Sequence, residues 1–227
     1  RGHIVENARQ SFAALSFEPG HNGAWSVQRK GVTAFQVHAT GVGGHAGADY
    51  KKGGSAIQEL IIKLNRLYEL QDKSKDISVN IGVISGGTAD NVLAPTAYAY
   101  GEVRSWDPAE LERLHQAIQD ICAAPALPGA NTTLTFPDSH PPCPATEASL
   151  QLFETAKEIG QSLGLSPHLV ATGGASDIAF AAQANIPVLD GLGMEGGGMH
   201  TTEEYADLTK VDKQLMLAVL LMKKLLG

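Results

Sequence analysis

Several residue types and patterns are scarce in this chain of 227 residues, and each scarcity excludes a class of protein. Lys and Arg number 17 against 24 Asp and Glu, for a net charge of −7 and no basic cluster, which argues against a nucleic-acid surface. No apolar run reaches the roughly eighteen residues that a membrane span needs. The only two cysteines, Cys122 and Cys143, lack a Cys-x-x-Cys spacing and cannot form a thiolate zinc site. A disulfide between them is possible, but nothing in the sequence requires it.

The stretch from residue 172 to residue 208 combines three signals of a functional site. A polar turn that contains Gly173, Gly174 and Ser176 precedes a helical run over 178–184, so it can offer backbone donors to an anion. An apolar run over 186–189 then predicts a buried strand. A loop with five glycines in eight positions, 191–198, leads to His200. A solvated loop histidine is the ordinary alternative.

Near the start of the chain, Glu18 lies where an α/β sheet would bind a ligand. It follows a short apolar run over 12–17 that predicts a strand, and Pro19 and Gly20 break the pattern after it. Open α/β sheets bind their ligands at the carboxyl ends of strands. An ordinary turn residue is the alternative for Glu18.

The middle of the chain predicts an inserted domain. Alternating apolar residues predict strands over 32–39, 77–84, 97–103 and 131–136, and helical spacing predicts helices over 57–68 and from 107 to 121. This βαββαβ order predicts a ferredoxin-like module, a four-stranded antiparallel sheet covered on one side by two helices. A proline-rich segment, 137–144, predicts a linker. We therefore expect a domain over 31–138 that interrupts an α/β domain made of 1–30 and 139–227.

The ends of the chain are predicted to be helical. Residues 4–10 open the chain in a helical pattern, and no signal peptide precedes them, so the natural N-terminus can lie elsewhere. We expect a cytoplasmic location, with a periplasmic or secreted one left open. Helices are also predicted over 148–163 and 210–226. The apolar positions from Leu215 to Leu226 have helical spacing and are interrupted by two lysines, which predicts packing in the core.

Three motifs together resemble the M20 zinc peptidases over nearly the whole chain. They are Leu-Ser-Phe-Glu-Pro around Glu18, Gly-Gly-His-Ala-Gly around His45, and the run from Gly-Gly-Ala-Ser-Asp to His-Thr-Thr-Glu-Glu-Tyr that contains His200. This family includes glutamate carboxypeptidases, aminoacylases, and the acetylornithine and succinyl-diaminopimelate deacylases. The resemblance implies a zinc-exopeptidase-like α/β catalytic domain interrupted by a ferredoxin-like lid, which forms the interface of a homodimer.

The resemblance also implies roles for single residues. Glu18 and His200 would be zinc ligands, and His45 would stabilise the oxyanion that forms when water attacks an amide, commonly in the active site of the partner subunit. Asn91, in Asp-Asn-Val-Leu-Ala-Pro, would contact the substrate. Arg104, in Gly-Glu-Val-Arg, would bind a substrate carboxylate through its planar fork, although Glu102 departs from the Asp of the family pattern. The ordinary alternatives are a loop histidine, a turn amide and a surface cation.

The turn at Gly173, Gly174 and Ser176 could bind the same carboxylate. The expected substrates are small peptides or N-acyl amino acids, and the chemistry would be hydrolysis of the amide bond adjacent to a free carboxylate. The motifs look most like the glutamate carboxypeptidase branch, and a deacylase of the same family is the alternative.

Several elements of the family pattern are absent from this chain. M20 catalysis needs a His-x-Asp pair, a bridging Asp and a Glu-Glu pair that supplies the general base. None of the eight histidines precedes x-Asp, and the only Glu-Glu, Glu203 with Glu204, matches a different element. We interpret the chain as the C-terminal half or so of an enzyme with two zinc ions, inactive by itself. A non-catalytic dimerisation and substrate-binding module is the second hypothesis.

Overall fold

The computed structural model describes residues 1–20, 23–199 and 201–227, which divide into two units. Gly31–His140 forms a continuous unit, which we call the inserted unit. Arg1–Lys30 and Pro141–Gly227 together form the second, which we call the discontinuous unit.

The helices of the described residues are α1 (Gly2–Ala8), α2 (Ala56–Tyr68), α3 (Pro108–Ala123), α4 (Glu147–Ser162), α5 (Ile178–Ala182) and α6 (Val211–Leu226), with a 3-10 turn at Leu208–Lys210. The strands are β1 (Ala14–Leu15), β2 (Ala24–Arg29), β3 (Gly31–Thr40), β4 (Gly44–His45), β5 (Ser78–Gly86), β6 (Val92–Leu93), β7 (Thr96–Ser105), β8 (Asn131–Thr135), β9 (Ser139–His140), β10 (His168–Thr172), β11 (Val188–Leu189), β12 (Gly196–Gly197) and β13 (Tyr205–Ala206). Among these residues, no helix combines the length and apolar character that a membrane span requires.

The inserted unit is the ferredoxin-like module that the alternating pattern predicts. Its antiparallel sheet has the strand order β5-β7-β3-β8, and β9 adds a short pairing to β3. One face of the sheet packs against α2 and α3, because Val37, Ala39 and Ala99 alternate inward and meet Leu60 and Leu114 in a single core.

The helices of the inserted unit begin where local chemistry allows it. The Asp107 side chain caps α3 by accepting a hydrogen bond from Ala109 N at 2.8 Å, and Pro108 occupies the first helical position. Ser55 precedes α2 without a side-chain cap, so the buried apolar face of α2 supplies its stabilisation.

A buried ion pair ties α2 to the segment between α3 and β8. Glu59 and Lys63 have side chains that are 0% and 1% exposed, and Lys63 Nζ lies 3.6 Å from Glu59 Oε1. The Glu59 carboxylate accepts hydrogen bonds from Ala126 N and Leu127 N, each at 2.9 Å at the shorter contact. Lys63 Nζ donates to the carbonyls of Ile121, at 2.8 Å, and of Ala124. These bonds satisfy backbone groups where the chain leaves α3.

The discontinuous unit contains two parallel strand pairs, β1 with β11 and β2 with β10. Reciprocal backbone hydrogen bonds of 2.9 Å between Ser26 and Asp190 join the two pairs. Helices α4 and α6 share a core with β2, in which Trp25 meets Phe153 edge to face at a centroid distance of 6.2 Å.

One sequence-based expectation needs correction. The segment 137–144 is not a free linker: Ser139 and His140 pair with β3, and Cys143 exchanges backbone hydrogen bonds with Arg29. The prolines of this segment have no backbone N–H to donate, but the residues that form these pairings are not prolines, so the pairings can form beside them. The run from Leu215 to Leu226 packs in the core as predicted, through Leu217 and Leu221, but only on one face of its helix.

Cys122 and Cys143 are both free thiols and both buried. Burial raises the pKa of each thiol to about 11, because the apolar surroundings disfavour the thiolate. Neither thiol is therefore reactive near neutral pH.

Candidate active site

A cavity of about 320 Å³ lies in the discontinuous unit, where β1, β2, β10 and β11 meet. Its polar lining includes Glu18, Ser26, Arg29, Thr172, Ser176 and Asp190. Glu18 follows β1 and Asp190 follows β11, so both carboxylates lie at the carboxyl end of a parallel strand, the usual place of a ligand site in an α/β sheet. The structure thus brings together Glu18, Gly174 and Ser176, three of the predicted site residues.

The glycine-rich loop after β11 positions Glu18. Gly193 N donates to the Glu18 carbonyl at 3.0 Å, and Leu192 N donates to the Ser16 carbonyl at 3.1 Å. A side chain at position 193 would run into the Glu18 carbonyl oxygen, at 2.7 Å, and into that of Phe17. Gly191 has a φ of +85°, a conformation that L side chains rarely adopt. The loop needs Gly193 because its backbone packs against the backbone of Phe17 and Glu18, and it needs Gly191 because of the positive φ at that position.

Arg29 and Asp190 form a buried ion pair in the wall of the cavity. Arg29 Nε lies 2.6 Å from Asp190 Oδ2, and the two side chains are 15% and 1% exposed. Arg29 Nη1 also donates to the Gly174 carbonyl at 3.2 Å, and Asp190 Oδ1 accepts from Gly191 N at 2.7 Å. The pair therefore joins β2, the end of β11 and the turn after β10, and holds three walls of the cavity together.

Sequence reasoning missed both members of this pair. Asp190 directly follows an apolar strand at its carboxyl end, the same signal that singled out Glu18. Arg29 lies on β2, a strand that the sequence analysis did not predict.

The turn predicted to bind an anion already uses part of its hydrogen-bonding capacity. Gly174 N donates to Thr172 Oγ1 at 3.2 Å, and Ser176 Oγ accepts from Ile178 N at 3.4 Å. An anion at this turn would have to replace the Thr172 hydroxyl as the partner of Gly174 N. Carboxylate binding by Gly173, Gly174 and Ser176 stays a prediction.

In the inserted unit, His45 and Asn91 lie on neighbouring short strands. His45 on β4 pairs with Val92 on β6, and Ala46 N donates to the Asn91 carbonyl at 2.9 Å. His45 Nδ1 accepts from Gly47 N at 3.1 Å and from Ala48 N at 3.3 Å. In the neutral ring the proton is therefore on Nε2, which leaves an exposed donor.

Asp49 fixes the loop that carries His45. Its Oδ2 accepts from His45 N at 2.8 Å, and Lys52 Nζ lies 2.7 Å from its Oδ1. The hydrogen bond from Lys52, followed by the one from the His45 backbone, lowers the pKa of Asp49 below its ordinary value. The loop therefore keeps this anchor in its charged form at neutral pH.

Arg104 on β7 already holds a carboxylate. Its Nε donates to Glu102 Oε1 at 2.7 Å and its Nη2 donates to Glu102 Oε2 at 3.1 Å, a bidentate pair. The residue that departs from the family pattern is thus the one that occupies the guanidinium fork. Binding of a substrate carboxylate at the Nε–Nη2 edge of Arg104 requires displacement of Glu102.

The described residues do not form a metal site by themselves. Within 1–20, 23–199 and 201–227, no three His, Cys, Asp or Glu side chains form a group that could hold a metal ion. Glu18 lines the cavity, whereas His200 lies outside the described residues. The residues described here therefore do not fit a zinc ion without further ligands.

Comparison with known protein families gives a match for the middle of the chain. Residues 27–130 match the peptidase dimerisation domain of the M20 family. This chain therefore carries an M20-type dimerisation domain on an α/β fold, which confirms both the predicted resemblance and the predicted fold class.

Two proteins of similar sequence are named as carboxypeptidases. The chain is 29% identical over 232 residues to carboxypeptidase G2 from Pseudomonas sp. (strain RS-16), an alignment that includes 99% of this chain and 55% of that protein. A probable carboxypeptidase from Paracoccidioides lutzii is 37% identical over 127 residues, which are 49% of this chain and 28% of that one. The chain spans about half the length of the first relative and less of the second.

Solved structures share the fold. Aminopeptidase PepT from Bacillus cereus superposes with a TM-score of 0.75 at 20% identity, over 100% of this chain and 62% of that one. The aminobenzoyl-glutamate utilization protein from Klebsiella pneumoniae gives a TM-score of 0.65 at 17% identity, over 92% of this chain and 52% of that one.

Proposed function

We propose that this chain is part of a zinc-dependent hydrolase that cleaves an amide bond next to a free carboxylate, as a carboxypeptidase acting on peptides or N-acyl amino acids. The observation that carries the proposal is the cavity at the strand ends, which Glu18 lines, in a chain similar over 99% of its length to carboxypeptidase G2. The discontinuous unit is then the second part of a catalytic domain, and the inserted unit is its lid.

In this proposal the chain supplies one wall of a shared site. Glu18 and His200 are zinc ligands, and the remaining ligands and the general base belong to the part of the relatives that this chain does not span. His45 donates a hydrogen bond from its Nε2–H to the oxyanion that forms on the amide carbonyl. Asn91 and Arg104 bind the substrate. Because Glu102 occupies Arg104 in the structure, binding exchanges one carboxylate for another on the same guanidinium.

Hydrolysis by the longer protein tests the proposal. The reading frame extended upstream of Arg1 would be expressed and assayed for release of the C-terminal amino acid from dipeptides, N-acyl glutamates, acetylornithine and succinyl-diaminopimelate. We expect hydrolysis that a zinc chelator abolishes, and the preferred substrate separates a carboxypeptidase from a deacylase. No hydrolysis of any of these compounds would contradict the proposal.

Replacing Glu18 with Gln is expected to lower the affinity of that protein for zinc by at least about tenfold and its hydrolysis in proportion, because a neutral amide is a poor zinc ligand. Zinc content after dialysis and kcat would both be measured. Glu154→Gln is the matched control, since Glu154 is an exposed carboxylate of α4 whose partner is Lys157. Equal zinc content in Glu18→Gln and the unchanged protein would remove Glu18 from the ligand set.

The second candidate is a non-catalytic dimerisation and substrate-binding module. The absence of a group of three potential ligands among the described residues favours it for residues 1–227 alone. Titration of this chain with zinc discriminates between the two. Tight stoichiometric binding to residues 1–227 alone would contradict the module.

The inserted unit offers a surface that fits a second copy of the chain. Strand β5 is at the edge of the sheet formed by the described strands, so its outer backbone groups have no strand partner there. Beside it, Ile57, Ile61 and Tyr68 form an exposed apolar stripe on α2, and Ile84 is exposed on β5. We propose that homodimers form through this stripe and the edge of β5.

Ile61→Glu is expected to convert the dimer into a monomer, because it places a charge in the centre of the apolar stripe. Sedimentation velocity over a range of concentrations would measure the change. Gln119→Glu adds the same charge at an exposed position of α3, a different helix from the one that carries the stripe, and should leave the dimer intact. An unchanged chain that sediments as a monomer at every concentration would refute the dimer itself.

A further inference from the structure

Helix α6 is apolar on two opposite faces. One face packs against α4 in the core through Leu217 and Leu221. On the other face, five apolar side chains are between 45% and 77% exposed: Leu215, Met216, Val219, Met222 and Leu226. Four of them follow the helical spacing i, i+4, i+7 and i+11, so they form one continuous stripe. We call these five residues the α6 stripe.

A solvent-facing helix surface in this chain has a different composition. On α3, the long side chains that are exposed are all polar or charged: Glu112, Arg113, Gln116, Gln119 and Asp120. Helix α4, in the same unit as α6, exposes Gln151, Glu154 and Glu158 along its outer face, and Leu150 is its one large apolar side chain that is exposed. The α6 stripe carries no charge from Leu215 to Met222. A helix that is apolar on nearly all sides is typical of one that is covered on both faces.

The strands of the discontinuous unit are also incompletely paired. Among the described strands, β1 pairs only with β11, and β10 pairs only with β2. Parallel sheets are found with both faces covered, and β1 and β10 are open edges among the described strands. The relative carboxypeptidase G2 has about as much chain again beyond the 55% that this chain spans. The length of chain that could cover the stripe and the strand edges therefore exists in the relative.

We propose that the α6 stripe is the surface on which the rest of the catalytic domain packs, through the apolar face of an amphipathic helix in the part that this chain does not span. The stripe offers the ridges of side chains at i and i+4 that pack into the grooves of another helix, and its two methionines adapt to that surface. The inference rests on the proposed function, since it assumes that a longer catalytic domain exists. A second copy of this chain is the competing occupant.

Thiol labelling tests this assignment. Val219→Cys would be placed both in residues 1–227 and in the protein from the reading frame extended upstream of Arg1, and each would react with a maleimide at pH 7.5. Cys122 and Cys143 add no background, because both are buried and burial raises their pKa to about 11. We expect labelling of Val219→Cys to slow by about 100-fold or more in the longer protein.

Glu154→Cys is the control, because Glu154 is exposed on the polar face of α4 in the same unit. It should react equally fast in both proteins. Met222→Cys repeats the test one turn further along the stripe, should Val219→Cys perturb folding. Equal labelling rates of the stripe cysteines in the two proteins would overturn the inference. Protection that rises with the concentration of residues 1–227 alone would overturn it in favour of a second copy.

The labelling result is independent of the hydrolysis assay. A longer protein that hydrolyses its substrate while Val219→Cys remains reactive overturns only the role of the α6 stripe. A protected stripe in a protein without hydrolytic activity supports the packing surface and contradicts the proposed function.

Discussion

Replacing Lys63 with methionine is expected to lower the free energy of unfolding of the inserted unit by about 3–5 kcal/mol. The change leaves the Glu59 carboxylate, which is 0% exposed, without its counter-ion. It also leaves the carbonyls of Ile121 and Ala124 without their donor, although methionine fills a similar volume. Urea unfolding of the chain, followed by circular dichroism, would measure the loss as a lower midpoint.

Lys75→Met is the matched control for this prediction. Lys75 Nζ lies 2.6 Å from Glu110 Oε1, a shorter contact than that of Lys63, but its side chain is 53% exposed. Exposed pairs contribute about 0–1 kcal/mol, so the control should unfold close to the unchanged chain. Glu59→Leu combined with Lys63→Met should recover part of the loss, because no buried charge remains. If Lys63→Met and Lys75→Met unfold at the same midpoint, burial does not set the strength of this pair.

Replacing His45 with asparagine is expected to lower kcat of the complete enzyme by about 10²- to 10³-fold, with a smaller change in KM, because a donor to the developing oxyanion is lost. Asparagine can keep the acceptor that His45 Nδ1 offers to Gly47 N and Ala48 N, so the loop keeps its anchor. It cannot replace the Nε2 donor. An unchanged kcat would show that His45 does not stabilise the transition state.

Mixing the two impaired variants, His45→Asn and Glu18→Gln, tests in which subunit His45 acts. If His45 contributes to the partner's site, heterodimers of His45→Asn and Glu18→Gln contain one site with both residues intact. Activity should therefore return when the two homodimers are allowed to exchange subunits. No recovery after exchange, with heterodimers demonstrated by a mass tag, would place His45 in the site of its own subunit.

The parts of the fold that are set by local periodicity could be predicted from the sequence. In the inserted unit, strands that alternate apolar and polar residues pack one face on two helices, so the pattern alone indicates the βαββαβ module. Contacts between distant residues could not be predicted in this way. Glu59 and Lys63 have the i, i+4 spacing that usually marks an exposed pair, and only the packing of α2 shows that they are buried.

In the candidate site, too, features set by the local sequence could be predicted and contacts between distant residues could not. Glu18 could be located because it follows a strand and precedes Pro19, whereas the partner of Arg29 is 161 residues away in the chain. The occupied fork of Arg104 was within reach of sequence reasoning, since Glu102 and Arg104 lie two apart on one strand and therefore on one face. The exposed stripe of α6 could not be predicted, because spacing shows that a helix has apolar faces but not what covers them.

The discontinuous unit has a consequence for the order in which the chain folds during synthesis. Gly31–His140 is continuous and can fold as soon as its last residue has left the ribosome. The walls of the cavity, by contrast, join Glu18 to Gly193 and Arg29 to Asp190, so they can close only after residue 193 has been made. Prior folding of the inserted unit shortens the effective loop between these partners, which reduces the entropy that closure costs. A nascent chain therefore acquires the proposed dimer surface before it acquires the cavity.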